Sequence, residues 1–240
     1  MAPPAPVPSE RAVLVNAMLA FVAGYVDAAG FVALGGLFVA HVTGNFVLLG
    51  AQAAGLLAGG VVGKLLALPV FILGVALTRL AILALDRTGR APLRPLLAGE
   101  AALVATFMVL GLAGGRAADP DAILPVLAGM AGVLAMAIQN AKARLILTTQ
   151  APTTLMTGNT TQVIIDLVDM ARAHGAEREP ARGRLLRMAP AIGAFVAGAL
   201  LGAILFGAAG YLCLLVPLAG LLFLITTTPG TPGTPAGIAG

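Results

Sequence analysis

The feature that most constrains this chain is a succession of eight long apolar runs, separated by short segments that hold most of its charge. They fall at about Ala12–Leu34, Leu37–Leu57, Val61–Leu85, Leu96–Gly114, Ala122–Ile138, Thr153–Ala171, Leu185–Phe206 and Tyr211–Ile225. A membrane-spanning helix needs roughly 20 apolar residues, whereas a barrel strand alternates over about 10. Backbone polar groups in lipid must be satisfied within the segment, so runs of this length and texture form helices. Only 10% of the residues are charged and the mean hydropathy is +1.00, where a soluble domain carries about 25% charged residues. The 31 glycines and 16 prolines suit helices that pack in lipid, where small residues let backbones approach. The sequence predicts an all-α integral membrane protein and excludes a soluble enzyme with a membrane anchor.

The formal charge of +4 does not point to nucleic acid, because the basic residues flank apolar runs. Membrane lipid is the expected partner. Cys213 is the single cysteine and lies in an apolar run, so neither an internal disulfide nor a cysteine metal site is expected. The chain contains two histidines and no H-E-x-x-H, G-x-S-x-G or G-x-x-x-x-G-K pattern. No catalytic residue, metal or cofactor is therefore expected, and the chain is not read as an enzyme. Residues 1–11 are proline-rich and read as a disordered N-terminus, and 229–240 read as a flexible tail. The first apolar run is too long for a signal-peptide core and reads as an uncleaved span. Between lies one transmembrane domain, residues 12–228.

That domain contains an internal repeat. Thr43-Gly44-Asn45 in the second run recurs as Thr157-Gly158-Asn159 in the sixth, 114 positions later. Each follows a polar-bearing helix, with Asp27 in one case and Gln139 and Asn140 in the other, and each precedes two apolar runs. The halves are 12–115 and 116–228. The two TGN runs are also the most polar, so each either spans or dips into the membrane and returns.

Basic residues collect on the cytoplasmic side. With eight crossings and an inside N-terminus, Arg11, Lys64, Arg116 and the five arginines from Arg172 to Arg187 lie inside. Arg87, Arg90, Arg94, Lys142 and Arg144 then lie outside. If the TGN runs do not cross, those outer five join Arg11 and the Arg172–Arg187 five inside, and Lys64 and Arg116 lie outside. Eleven against two satisfies the rule better than eight against five. The favoured architecture has about six transmembrane helices plus two re-entrant or broken TGN helices, in an inverted three-plus-three repeat. The alternative is eight spans in a parallel repeat. Both termini are expected in the cytoplasm, with the chain in the cell (inner) membrane.

The candidate substrate-binding residues are Asp27, Thr43, Gly44, Asn45, Asn140, Thr157, Gly158 and Asn159. In the site reading, Thr43 and Thr157 cap half-helices whose N-termini face a polar solute. In the packing reading, the same residues bond neighbouring helices. Asp27 lies deep in the first run, where an ionisable group marks a proton or substrate path by default. Its plainer reading is a protonated carboxyl bonded within the bundle. Asp27 and His41 are the candidate proton-coupling pair, although His41 fits an outer interface equally. Glu100 is expected to pair locally with Arg94, and Asp166 and Asp169 with Arg172 at a solvated helix end. Gly198-x-x-x-Gly202 and Gly55-x-x-x-Gly59 are small-residue packing faces.

The segments AGYVDAAGFVALGGLFVAHVTGNFVLLG and MAIQNAKARLILTTQAPTTLMTGNTTQ resemble the YoaK-like integral membrane proteins, domain-of-unknown-function family 1275. The resemblance runs from about Ala12 to Thr228. It implies a bacterial multi-span membrane protein, with about six spans and no assigned function. The functional expectation therefore rests on the residues: a small-solute transporter or channel-like permease with a polar site at the paired TGN motifs. The alternative is a non-transporting membrane scaffold or partner subunit. A small-molecule or ion substrate is the expected partner, and the sequence permits a homodimer.

Overall fold

The computed structural model describes residues 9–116, 118–172 and 178–228. Every regular element among them is helical. In chain order they are α1 (Glu10–Ala33), α2 (Gly44–Ala53), α3 (Val61–Arg87), α4 (Leu93–Gly114) and α5 (Ile123–Leu145). Then follow α6 (Met156–Arg172), α7 (Glu179–Ala209), a 3-10 turn (Gly210–Leu214) and α8 (Leu215–Thr227). Five helical stretches are long and apolar enough to cross a membrane: α1, α3, α4, α5 and the run Glu179–Thr227. The chain is a multi-pass helical membrane protein.

The run Glu179–Thr227 is folded into two legs. Gly210 breaks it with φ 61° and ψ −146°, a backbone conformation that a side chain would strain. Arg116 seals the break by donating to the carbonyls of Phe206 at 2.8 Å and Gly207 at 2.6 Å. A cation suits the partial negative charge of a helix C-terminus. The two legs then run in opposite directions along α1. Gly198 and Gly202 of α7 rest on the backbone of Phe21 and Tyr25, so α7 is parallel to α1. Tyr25 donates to the Cys213 carbonyl at 2.8 Å, Gly220 faces Met18 and Val22, and Arg11 bonds the Thr227 carbonyl. That order makes α8 antiparallel to α1.

Helices α1 and α5 form the centre, with Val22, Tyr25, Val26, Val133, Ala135 and Met136 fully enclosed. The outer helices expose leucine and isoleucine, as at Ile72, Leu73, Leu77 and Leu80 of α3, the surface that lipid rather than water would cover. Ser9 caps α1 by accepting from the Ala12 N–H at 3.3 Å. Glu10 and Arg11, expected in a disordered segment, are thereby part of the first turn of α1. The remainder of that segment and the 229–240 tail lie outside the described residues.

One set of contacts fixes the course of the first TGN segment. Lys64, in the first turn of α3, donates to the carbonyls of Gly35 at 2.7 Å and Gly59 at 2.9 Å. Asp121 accepts the Val62 N–H at 2.7 Å, capping the same turn. The chain from the end of α1 to the start of α3 thus leaves and returns to one end of the bundle. In between, residues 38–41 descend beside Asp27, which lies 18 positions into the 24-residue α1.

Candidate functional site

The first TGN segment enters as irregular loop and leaves as helix α2, and two buried side chains hold it there. Asp27 of α1 accepts the N–H groups of Val39 at 2.8 Å and Ala40 at 2.7 Å on one carboxylate oxygen. Its other oxygen meets His41 Nδ1 at 2.6 Å. Asn45, the buried residue of α2, closes a clasp on Phe38. Its Nδ2 donates to the Phe38 carbonyl at 2.8 Å and its Oδ1 accepts the Phe38 N–H at 2.9 Å. A loop buried in an apolar bundle must find partners for its backbone, and these two side chains supply them.

The second TGN segment repeats the spacing. Asn159 donates to the Pro152 carbonyl at 2.7 Å, seven residues back, as Asn45 does to Phe38. Proline has no N–H, so this clasp has one bond where the first has two. Gln139 bonds Thr153 Oγ1 at 2.9 Å, and Thr154 donates to Asn140 Oδ1 at 2.7 Å. Both pairs are separated by 14 residues, as are Asp27 and His41. Gln139 also donates to the Leu19 carbonyl at 2.7 Å, which ties this segment to α1.

Three cavities adjoin these loops. The first, about 620 Å³, is lined by His41 and Thr43 from one segment and Thr154 and Leu155 from the other, with Asn140, Arg79 and Arg144. The second, about 610 Å³, lies between α1 and α7 against Asp27, His41, Thr43 and Gly44. The third, about 300 Å³, is more polar. It adds Thr148 and Gln150 to Asn140, Arg144 and Thr154 at the C-terminal end of α5. His41 and Thr43 therefore face two cavities, and Asn140 and Arg144 face two in series, the first and the third.

The residues singled out in the sequence divide accordingly. Asp27, His41, Thr43, Gly44 and Asn140 line these cavities. Asn45 and Asn159 do not; they are buried and clasp the loops. Thr157 and Gly158 lie on the exposed side of α6. Capping by threonine does not occur as expected. Thr43 makes no cap bond, and Thr157 is already inside α6. The first N–H groups of α2 are also not free for a solute. Those of Gly44, Asn45 and Phe46 bond the carbonyls of His41, Val42 and Thr43.

Two local ion pairs read from the sequence are replaced by long-range ones. Glu100 pairs with Lys142 of α5, both fully enclosed, rather than with Arg94. Asp166 is fully enclosed and takes Arg184 of α7 at 2.6 Å, rather than lying at a solvated end beside Arg172. Sequence reasoning missed Arg79 and Arg144 as cavity residues. The available signal was Arg79 itself, a charge well inside an apolar run.

The helices and cavities define a multi-pass membrane protein with two polar, loop-plus-helix segments embedded in its bundle. A family model described as a protein of unknown function, DUF1275, matches residues 15–227, and the chain belongs to that family, which carries the YoaK-like label. No curated protein and no solved structure matches it.

Proposed function

We propose that this chain is a small-solute transporter or channel-like permease whose path crosses the level of the two TGN segments. The observation that carries this reading is the position of His41 and Thr43, which form a common wall between cavities of about 620 and 610 Å³. A narrow polar partition between two cavities is what an alternating-access pathway needs. The third cavity extends the series toward the end of α5. Asp27 and His41 are the proposed proton-coupling pair, since they share a short bond at that partition.

The proposed architecture has six crossings, α1, α3, α4, α5, α7 and α8, with the TGN segments re-entrant from opposite sides. The return of residues 34–60 to one end of the bundle supports it, as do the matching spacings of the two clasps. The charge distribution supports cytoplasmic termini in a bacterial inner membrane. Cysteines at Gln52, Gly59 and Gly89 in a Cys213-free background test it. Six crossings put Gln52 and Gly59 outside and Gly89 inside. Gly59 labelled from inside and Gly89 from outside would replace this plan with eight spans.

The second reading is a non-transporting scaffold. It is favoured by the full commitment of Asp27 and Asn45 to bonds within the chain. Solute uptake in proteoliposomes separates the two. Transport predicts uptake by the wild type and its loss in Asn45→Ala/Asn159→Ala. A wild-type protein that is folded, correctly oriented and silent toward anionic, neutral and cationic solutes supports the scaffold.

A further inference from the structure

Arg79 of α3 and Arg144 of α5 line the same cavity. Among the described residues, neither guanidinium has a hydrogen-bond or ion-pair partner, and the lining contains no Asp or Glu. The carboxylate bonded to that lining is Asp27, whose oxygens are committed to Val39, Ala40 and His41. Of the remaining polar groups, the Thr43 hydroxyl and the second N–H of the Asn140 amide can donate a hydrogen bond, while the Thr154 hydroxyl already donates to Asn140 and His41 is held by Asp27. Arg79 within α3 and Arg144 in the last turn of α5 are both exposed, and these two like charges on one apolar-walled space repel each other and find no acidic partner in its lining. An anion relieves both terms. The planar guanidinium matches a carboxylate or phosphate with two parallel bonds.

Deepening the transport reading above, we propose that the solute is a small organic anion, a carboxylate on a short apolar body. Arg79 and Arg144 hold its charged end, and Phe71 and Val75 of α3 pack against the apolar end. The polar third cavity, which shares Asn140, Arg144 and Thr154 with the first, is the aqueous approach for such a solute. A phospholipid phosphate has the same anionic chemistry and would reach the arginines from the bilayer.

Titration calorimetry on the full chain in phosphatidylcholine nanodiscs tests this, with acetate, butyrate and benzoate as probes and benzamide and benzylammonium as matched controls. At least one carboxylate binds saturably and neither control does. Arg79→Gln and Arg144→Gln each weaken it tenfold or more, while Arg79→Lys retains part of the affinity. Three results overturn the proposal. These are no carboxylate binding, control binding as tight as benzoate, or unchanged affinity in both glutamine variants. Should Arg79→Gln fail to fold, Arg144→Gln alone decides. In nanodiscs containing phosphatidylglycerol, Arg-dependent lipid binding that abolishes carboxylate binding would assign the arginines to a lipid headgroup and also overturn it. Binding without proteoliposome uptake refutes transport and leaves the anion site standing. Uptake that needs Asn45 and Asn159 but favours neutral or cationic solutes refutes the anion site and leaves transport standing.

Discussion

The carboxylate of Asp27 meets His41 Nδ1 at 2.6 Å while its other oxygen takes the N–H groups of Val39 and Ala40. One side chain of α1 thereby fixes three consecutive residues of a loop that lies inside the bundle. Asp27 is thus a structural clamp as well as a wall of the second cavity, and the two roles separate by substitution.

Asp27→Ala removes the acceptor from two buried N–H groups. Leaving a buried donor unsatisfied costs roughly 1–3 kcal/mol, so the two together should lower stability by several kcal/mol. Asp27→Asn keeps one oxygen and should lose less. His41→Ala spares both backbone bonds and should lose least. Thermal unfolding in detergent should rank wild type, His41→Ala, Asp27→Asn and Asp27→Ala in falling order. An Asp27→Ala protein as stable as wild type would remove the clamp.

The α1–α7 contact makes a second prediction. A β-carbon at Gly198 would collide with the Phe21 carbonyl, and one at Gly202 with the Tyr25 carbonyl. Neither obstacle is a flexible side-chain end. Gly198→Val or Gly202→Val should cost at least the roughly 1–3 kcal/mol of overpacking and reduce the yield of monodisperse protein. Gly193, with open space around it, is the matched control on the same helix. Equal yields for Gly193→Val and Gly198→Val would contradict the close approach.

Lys142 and Glu100 bring α4 and α5 together through a fully enclosed ion pair. Removing one partner strands the other charge, which costs roughly 3–5 kcal/mol in buried pairs, whereas an apolar replacement of both is often neutral. Lys142→Met should therefore be much less stable than wild type, and adding Glu100→Leu should restore most of the loss. Additive losses in a double-mutant cycle of unfolding free energies would show that the pair is uncoupled.

What was legible in the sequence was whatever depends on local hydropathy. The apolar run Val61–Leu85 is α3 nearly residue for residue, and Leu96–Gly114 is most of α4. By hydropathy the second run starts at Leu37, yet α2 begins only at Gly44, because residues 38–40 obtain backbone partners from Asp27 and Asn45. Nothing in local hydropathy encodes that exchange. The fifth run ends at Ile138 on meeting Gln139 and Asn140, but α5 continues to Leu145. There Gln139 and Lys142 are enclosed by partners distant in sequence, Leu19 and Glu100. Of the site, Asp27, His41, Thr43 and Asn140 were readable as polar groups in apolar surroundings. Arg79 and Arg144 were not readable as a pair, because α3 and α5 bring them to one cavity only through tertiary packing.

The two asparagine clasps differ in one respect, and the difference sets the last prediction. Asn45 both donates to and accepts from Phe38, at 2.8 and 2.9 Å. Asn159 donates to Pro152 at 2.7 Å and has no N–H there to accept from. Asn45→Ala therefore frees a part-buried carbonyl and a part-buried N–H, and Asn159→Ala only a part-buried carbonyl. With roughly 1–3 kcal/mol for each group left unsatisfied, Asn45→Ala should lose about twice as much stability as Asn159→Ala. Asn45→Asp keeps the acceptor for the Phe38 N–H but sets a carboxylate against the Phe38 carbonyl, so it should not recover wild-type stability. Hydrogen exchange at Phe38 offers a direct readout, since its N–H should lose protection in Asn45→Ala and keep it in Asn159→Ala. Equal stability losses at the two sites, with Phe38 protected in both, would mean that the clasps do not hold the loops.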